Sequence, residues 1–191
     1  MIKFRGHSLV IGMSGAGKGM LTASQARAWQ AAGMKVYLLC NKEDEYEEFP
    51  ADFKTMDQAY FLEMVRKLRA PKKGFVNTMV VIDEAWDWDW KKKDIGLQLI
   101  PNMARGLGVE MWVQSQFPTQ MAPTVRGNCD NVFVFRQREP AAIKWASDCY
   151  GPKFSECKDL DPGRYIGLRG MGEPFYGCSW YVDNDGKFHN A

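Results

Sequence analysis

The segment Gly12-Met13-Ser14-Gly15-Ala16-Gly17-Lys18 constrains this chain more than any other. It satisfies the G-x-x-x-x-G-K part of a phosphate-binding loop, and Gly19 then stands where that pattern carries Ser or Thr. The flanks suit the loop. Ser8-Leu9-Val10-Ile11 is a short apolar run that predicts a strand, and residues 18–32 predict a helix stopped by Gly33. Strand, glycine-rich turn and helix N-terminus in this order aim main-chain N–H groups at an anion, with the helix dipole behind them. Gly12, Met13, Ser14, Gly15, Ala16, Gly17, Lys18, Gly19 and Met20 therefore form the expected nucleotide cradle, with Lys18 reaching the β- and γ-phosphates. The hydroxyl missing at 19 normally ligates Mg²⁺, so the metal is held by other groups, by water, or poorly. Thr22, one helical turn beyond Lys18, is a poor geometric substitute.

A chain of 191 residues is expected to form one domain, able to bury roughly 70% of its unfolded surface. Its composition is globular, 46% hydrophobic and 13% aromatic. No apolar run approaches the roughly 20 residues that span a bilayer, and no signal-peptide core follows Met1, so a soluble, cytoplasmic chain is expected. Cys40, Cys129, Cys149, Cys157 and Cys178 are scattered and form no C-x-x-C pair, which predicts reduced thiols rather than a disulfide frame or zinc site. His7 and His189 lie near the ends of the chain, which argues against a His-based metal site or a Ser-His-Asp triad. The net charge of +2 permits a nucleic-acid partner without demanding one. Basic clusters at Arg66–Arg69 with Lys72-Lys73, and at Lys91–Lys93, read most simply as solvated surface.

Further along, Lys35–Cys40 predicts a buried strand, and the acidic stretch from Glu43 to Glu48, ending at Pro50, a loop. Residues 57–70 place Tyr60, Phe61, Met64, Val65 and Leu68 on one helical face, with Pro71 as the stop. Phe75 to Ile82 predicts a strand ending in Asp83-Glu84. Residues 94–107 have a helical pattern that Pro101 should kink or split. Val109–Val113 and Asn131–Phe135 predict two more strands, Pro140 to about Tyr150 a helix, and Arg164–Val182 one or two closing strands. Alternating strands and helices predict an α/β fold, an open and mostly parallel sheet with helices on both faces. Ligands of such sheets bind outside the carboxyl ends of the strands. Gly12–Lys18, Asp83-Glu84 and Gln114–Gln116 all lie at such ends and suit one shared crevice.

The apolar strand ending in Asp83-Glu84 begins to complete a hydrolytic site. One carboxylate can hold the hydrated Mg²⁺ that bridges the β- and γ-phosphates, and the other can orient or deprotonate the attacking water. Asp83 is assigned to the metal and Glu84 to the water. In Met111–Pro118 a polar amide at a strand tip can sense the γ-phosphate, with Gln116 the candidate and Gln114 the fallback. Arg126, in the turn-rich Pro123–Asn128, can act as a finger in a neighbouring subunit's site; Arg105 and Arg136 compete for that role.

The three regions Gly12–Lys18, Val80–Glu84 and Ser115–Pro118 followed by Val125–Asn128 resemble the FtsK–HerA group of P-loop ATPases. The similarity is greatest to the genome-packaging ATPases of tailless, membrane-containing double-stranded DNA viruses and phages, which show a Gln-x-Pro turn followed by an arginine at like spacing. It covers about residues 1–140; the remainder, to 191, contributes only strand character. The resemblance implies a RecA-like P-loop NTPase core, ATP and Mg²⁺ as cofactors, and a homohexameric ring driving double-stranded DNA through a central channel. It further implies that Gln116 senses the γ-phosphate and that Arg126 reaches across the subunit interface. Capsid vertex or membrane proteins would be partners, and the host cytoplasm and virion the locations. Three rivals remain. One is a small nucleotide kinase, similar at Gly15–Gly19 to the adenylate kinase loop. Another is a filamentous-phage morphogenesis ATPase similar to zonula occludens toxin, though such proteins carry a membrane segment. The third is a nucleotide-gated assembly protein with weak or no hydrolysis.

Trp86-Asp87-Trp88-Asp89-Trp90 alternates with period two, which in an extended segment would place three indoles on one face, followed by Lys91, Lys92 and Lys93. Core packing competes here with a loop that contacts DNA phosphates or another subunit.

Overall fold

The computed structural model describes residues 2–42, 47–91, 96–182 and 188–190. Its strands are β1 (Ile2–Lys3), β2 (His7–Ile11), β3 (Lys35–Leu39), β4 (Phe53–Thr55), β5 (Phe75–Val76), β6 (Thr78–Ile82), β7 (Val109–Ser115), β8 (Cys129–Phe135), β9 (Arg164–Arg169), β10 (Phe175–Cys178), β11 (Trp180–Val182) and β12 (Phe188–Asn190). Its helices are α1 (Lys18–Ala31), α2 (Gln58–Arg66), α3 (Leu99–Leu107), α4 (Pro123–Gly127) and α5 (Pro140–Tyr150). Eight strands form the main sheet in the order β10-β9-β8-β2-β7-β6-β3-β4. The six from β8 to β4 are parallel, and β9 and β10 extend the sheet antiparallel. This is the α/β architecture that the alternation of elements predicts.

The central strands are apolar throughout because both of their faces are covered. Alternate residues divide them between two cores. Leu9, Ile11, Val80, Ile82, Met111 and Val113 pack with Phe61 and Val65 of α2 and Ile100 and Ala104 of α3. Val10, Val36, Leu38, Met79, Val81, Trp112 and Phe133 pack with Leu21, Ala26 and Trp29 of α1 on the other face. Helix α1, which carries the phosphate loop at its N-terminus, thus packs against one face of the parallel strands while α2 and α3 pack against the other.

Several boundaries differ from expectation for local reasons. Helix α2 ends at Arg66 rather than near 70, and the Arg69 guanidinium donates to the Arg66 and Leu68 carbonyls, closing the helix before Pro71 restricts the chain. At its start the Asp57 carboxylate accepts from the Tyr60 N–H at 3.0 Å. Helix α3 begins only at Leu99, so Pro101 occupies its first turn, where a missing N–H breaks no helical bond; no kink is needed. Residues 94 and 95 of the expected helix, Glu43–Tyr46 of the acidic loop, and Lys92 and Lys93 lie outside the described residues. The expected strand 75–82 divides at Asn77: β5 pairs with β1 in a separate ribbon, and β6 joins the main sheet. The turn-rich stretch around Arg126 contains the short helix α4, entered through Pro123. All five cysteines are free, as expected. Among the described residues, no helix is long and apolar enough to cross a membrane.

His7, at the base of β2, is 3% exposed; its Nδ1 accepts from the Met111 N–H at 3.0 Å and its ring meets Phe4 edge-on. Burial lowers its pKa to about 4, against a smaller opposing pull from Asp130. Because the folded value lies below the unfolded one, near 6.5, the unfolded chain binds the extra proton between them. Stability is therefore fully present above about pH 6.5 and is lost as pH falls towards about 4. The loss amounts to about 3 kcal/mol. Replacing His7 with Gln should flatten this acid limb in urea unfolding between pH 4 and 7; an unchanged slope would disprove the assignment.

Candidate nucleotide-binding site

The C-terminal edge of the parallel strands opens into a cleft of about 570 Å³ lined by Ser14 through Met20, Asp83, Glu84, Gln114, Gln116 and Trp180, among others. The three polar strand ends singled out in the sequence thus meet in one place. The loop is anchored from below: Gly12 N–H donates to the Ser115 carbonyl at 3.2 Å, and Met13 N–H to that of Arg136 at 3.0 Å. Among the described residues the N–H groups of Ser14, Gly15, Gly17 and Lys18 make no hydrogen bond, which leaves them available to an anion at the start of α1. A Cβ at position 12 would stand 2.6 Å from the Phe135 Cβ, so only glycine allows the loop to pass so close to β8.

Lys18 is 7% exposed, and its Nζ donates to the carbonyls of Gly12 at 2.8 Å and Met13 at 3.3 Å. Burial lowers its pKa, while the carboxylates of Glu84 and Asp83 act in the opposite sense. The ammonium is thus held inside its own loop. Thr22 Oγ1 donates to the Lys18 carbonyl at 3.1 Å, is fully buried and is not among the residues that line the cleft.

Asp83 is 4% exposed at the end of β6. Glu84 follows with φ +43°, the only non-glycine residue in the left-handed region among those described. Such a conformation persists only where the surroundings enforce it. Here the Glu84 Oε1 accepts from the Gln116 amide at 2.6 Å and Oε2 from the Trp86 indole at 2.8 Å. Gln116 and Glu84 therefore form one unit. Gln114, one turn of the pleat earlier, is 1% exposed, and neither end of its amide has a hydrogen-bond partner among the described residues.

The three tryptophans do not form an extended face. Residues 83–88 turn, and the indoles fold back: Trp86 onto Glu84, Trp88 onto the Asp83 carbonyl at 2.6 Å and Trp90 onto the Ala85 carbonyl at 2.5 Å. The alternation is a device for locking the end of β6, with Phe117 edge-on to Trp86.

Of the arginines, none lines the cleft described above except Arg27. Arg126 lies on α4 with its guanidinium 5.5 Å above Trp145, beside a second hollow that includes Trp86, Trp88 and Gln120. Arg105 stands at the opposite edge of the sheet, 5.2 Å over Phe4. Arg136 adjoins the loop through its carbonyl, and the Nε atoms of Arg126 and Arg136 are buried without partners among the described residues.

Sequence reasoning missed the cover of the loop. Gly163 N–H donates to the Ala16 carbonyl at 2.9 Å, Ser179 N–H to the Gly163 carbonyl at 2.8 Å, and Trp180 lines the cleft. Gly17, at φ +110°, lies directly beneath: a Cβ there would meet Ser179 Oγ at 2.7 Å and Trp180 Nε1 at 3.1 Å. No local pattern marks these partners, which lie some 150 residues apart. Gly17→Ala should lower stability by about 1–3 kcal/mol through strain at positive φ and weaken nucleotide binding by lifting the tail. A melting curve and a nucleotide titration equal to those of the wild type would contradict this.

Loop, acidic strand end and six-stranded parallel core together define a RecA-like P-loop NTPase fold. Among solved structures the chain is similar to the DNA-packaging ATPase B204 of Sulfolobus turreted icosahedral virus, with 14% identity and a TM-score of 0.72, covering 92% of this chain and 98% of that one. The genome packaging NTPase B204 of Sulfolobus turreted icosahedral virus 2, in complex with AMPPCP, is similar at 16% identity and a TM-score of 0.71, over 90% of this chain and 96% of that one. The pCW3 conjugation coupling protein TcpA, bound to ATPγS, follows at 17% identity and a TM-score of 0.65, over 95% of this chain and 62% of that one. No family model and no curated protein matches the sequence. At these identities the likeness is one of fold, and it falls on the kind of protein that the sequence motifs resemble.

Proposed function

We propose that this protein is a Mg²⁺-dependent ATPase that moves double-stranded DNA into a viral procapsid, working as a ring of like subunits. One observation carries the reading: Lys18, Asp83 and the Glu84–Gln116 pair converge on one cleft at the N-terminus of α1. A small nucleotide-binding module needs the loop and the lysine. A hydrolase also needs a carboxylate positioned for water, and Glu84 is held at both oxygens in a strained conformation.

In this reading Ser14–Met20 wrap the phosphates and Lys18 swings its ammonium from the Gly12 carbonyl to the β- and γ-oxygens. Asp83, which lines the same cleft, would hold the metal. Among the described residues no group of three His, Cys, Asp or Glu side chains is placed to hold a metal ion. Mg²⁺, when bound, would supply positive charge against the charge that develops on the phosphates. Glu84 orients the attacking water and takes its proton, and Gln116, already bonded to Glu84, reports the γ-phosphate to it. Arg126 lies outside its own cleft and is assigned to a neighbour's site, as a finger acting in trans. The DNA substrate is supported by the similarity in fold to enzymes described as DNA-packaging and coupling proteins.

ATP hydrolysis measured with and without double-stranded DNA, alongside the native mass of the assembly, tests the whole. DNA-stimulated turnover by a hexamer is expected. Phosphate transfer to a nucleotide acceptor by a monomer would overturn the motor in favour of a kinase.

A further inference from the structure

Position 19 lacks the hydroxyl that P-loops ordinarily turn towards the metal, and the space it would occupy is open: a Cβ built on Gly19 meets no atom within 4 Å. Across the cleft, Gln114 is a buried primary amide with neither Oε1 nor Nε2 bonded among the described residues. Protein interiors avoid this arrangement, because each buried polar atom left unpaired forfeits its hydration without return. A ligand that supplies both an electron-poor centre and an acceptor would resolve it.

The register of the sheet shows what lies beside that amide. Ile82 of β6 pairs with Val113 of β7, so the next residues along, Asp83 and Gln114, are neighbours. The Ala85 N–H donates to the Gln114 carbonyl at 2.8 Å and fixes them there. On the other side, Val10 of β2 pairs with Gln114. Gln114 shares its strand face with Trp112, which packs in the core against α1, and it lines the same cleft as Lys18, Gly19 and Asp83. It is therefore placed between the strand that leads into the loop and the strand that leads to Asp83, beneath the helix start that lacks a hydroxyl.

We infer that Gln114 replaces the missing hydroxyl of residue 19, turning its amide oxygen to the divalent cation of a bound metal–nucleotide, directly or through one of the cation's waters. The inference rests on the metal–ATP reading above and adds a group to it. An amide oxygen is a neutral, hard donor, as a hydroxyl is, and suits Mg²⁺ or Mn²⁺. The amide NH₂, which a hydroxyl has no equal of, is left to donate to a phosphate oxygen on the same ion. Both unpaired atoms are satisfied in one event. Gln116, by contrast, is bonded to Glu84 and serves the water rather than the metal.

Mn²⁺ serves as the probe. Its affinity for the protein saturated with a non-hydrolysable ATP analogue is read by electron paramagnetic resonance, and analogue affinity is read separately in EDTA. Gln114→Leu, of similar volume, should weaken Mn²⁺ by about 10–100-fold, while the loss of affinity in EDTA is confined to the one hydrogen bond that the amide NH₂ gives a phosphate oxygen. Adding Gly19→Ser to Gln114→Leu should return Mn²⁺ affinity to the wild-type value, since the restored hydroxyl enters open space. Gln114→Glu, nearly isosteric and anionic, should tighten Mn²⁺ and weaken the analogue in EDTA, and it keeps the test open if the leucine variant misfolds. Mn²⁺ affinity that is the same in the Leu or Glu variant as in the wild type would overturn the role of Gln114 and leave the metal–ATP reading standing. Analogue binding by the wild type that ignores Mn²⁺ altogether would instead overturn that reading, and this inference with it.

Discussion

Glu84→Gln is expected to leave ATP bound and to slow its hydrolysis by about 10²–10⁴-fold. The substitution nearly preserves shape but changes what the side chain can accept. In the wild type both carboxylate oxygens receive donors, the Gln116 amide on one side and the Trp86 indole on the other. A glutamine at 84 has one oxygen and one NH₂, so it keeps both partners only if Gln116 turns its amide over to accept, and two charge-assisted bonds become neutral ones. The variant therefore loses the base and also loosens the support that holds residue 84 at positive φ. These losses can be separated. In a Glu84→Gln, Gln116→Glu double variant the hydrogen bond between the two side chains is restored with the carboxylate on the wrong partner. Turnover should stay low there while the melting temperature recovers. Undiminished hydrolysis in the single variant, measured as phosphate release with ATP binding checked by fluorescence titration, would remove Glu84 from its assigned role.

What could be seen in the sequence is what local chemistry determines. The glycines of 12–17 and Lys18 follow from the needs of one anion-binding turn, and the apolar runs at 8–11 and 78–82 follow from strands buried on both faces. Asp83 and Glu84 stand out because two charges terminate such a run. The expectation of a shared crevice needed no more than the rule that parallel strands present their carboxyl ends together.

What could not be seen depends on contacts between distant segments. Gln114 and Gln116 are alike in sequence, yet one is buried and unpaired while the other bonds Glu84; only the order β2-β7-β6 distinguishes them. The tryptophans at 86, 88 and 90 matched a period of two, but the carbonyls of Asp83 and Ala85 offered their indoles partners that an extended segment would have left behind. Pro101 looked disruptive because the helix start was placed too early; beginning at Leu99 rather than 94 turns a kink into an ordinary first-turn proline. The cover of Gly17 by Ser179 and Trp180 has no local signature at all.

Replacing Lys18 with Met should abolish useful nucleotide binding while making the empty protein no less stable. The ammonium is buried against two carbonyls of its own loop, and burial holds its pKa below the ordinary lysine value even with Glu84 and Asp83 nearby. A base whose folded pKa is depressed costs stability at neutral pH. As pH rises towards 10.5 the unfolded chain keeps the proton longer than the folded one, so that cost disappears. The empty variant should accordingly melt at or above the wild type at pH 7, with the difference shrinking in alkaline buffer. Nucleotide inverts the comparison, because phosphate oxygens give the ammonium the partner that the loop lacks. Truncating a buried, hydrogen-bonded charge of this kind removes about 2–5 kcal/mol of affinity, or about 30- to 4,000-fold. Melting curves recorded with increasing ATP should climb for the wild type, since a ligand specific to the folded state stabilises it in proportion to the logarithm of its concentration, and should stay level for Lys18→Met. A variant whose melting temperature still rose with ATP would show that the loop binds phosphate without its lysine, and the burial of the Lys18 ammonium would then need another purpose.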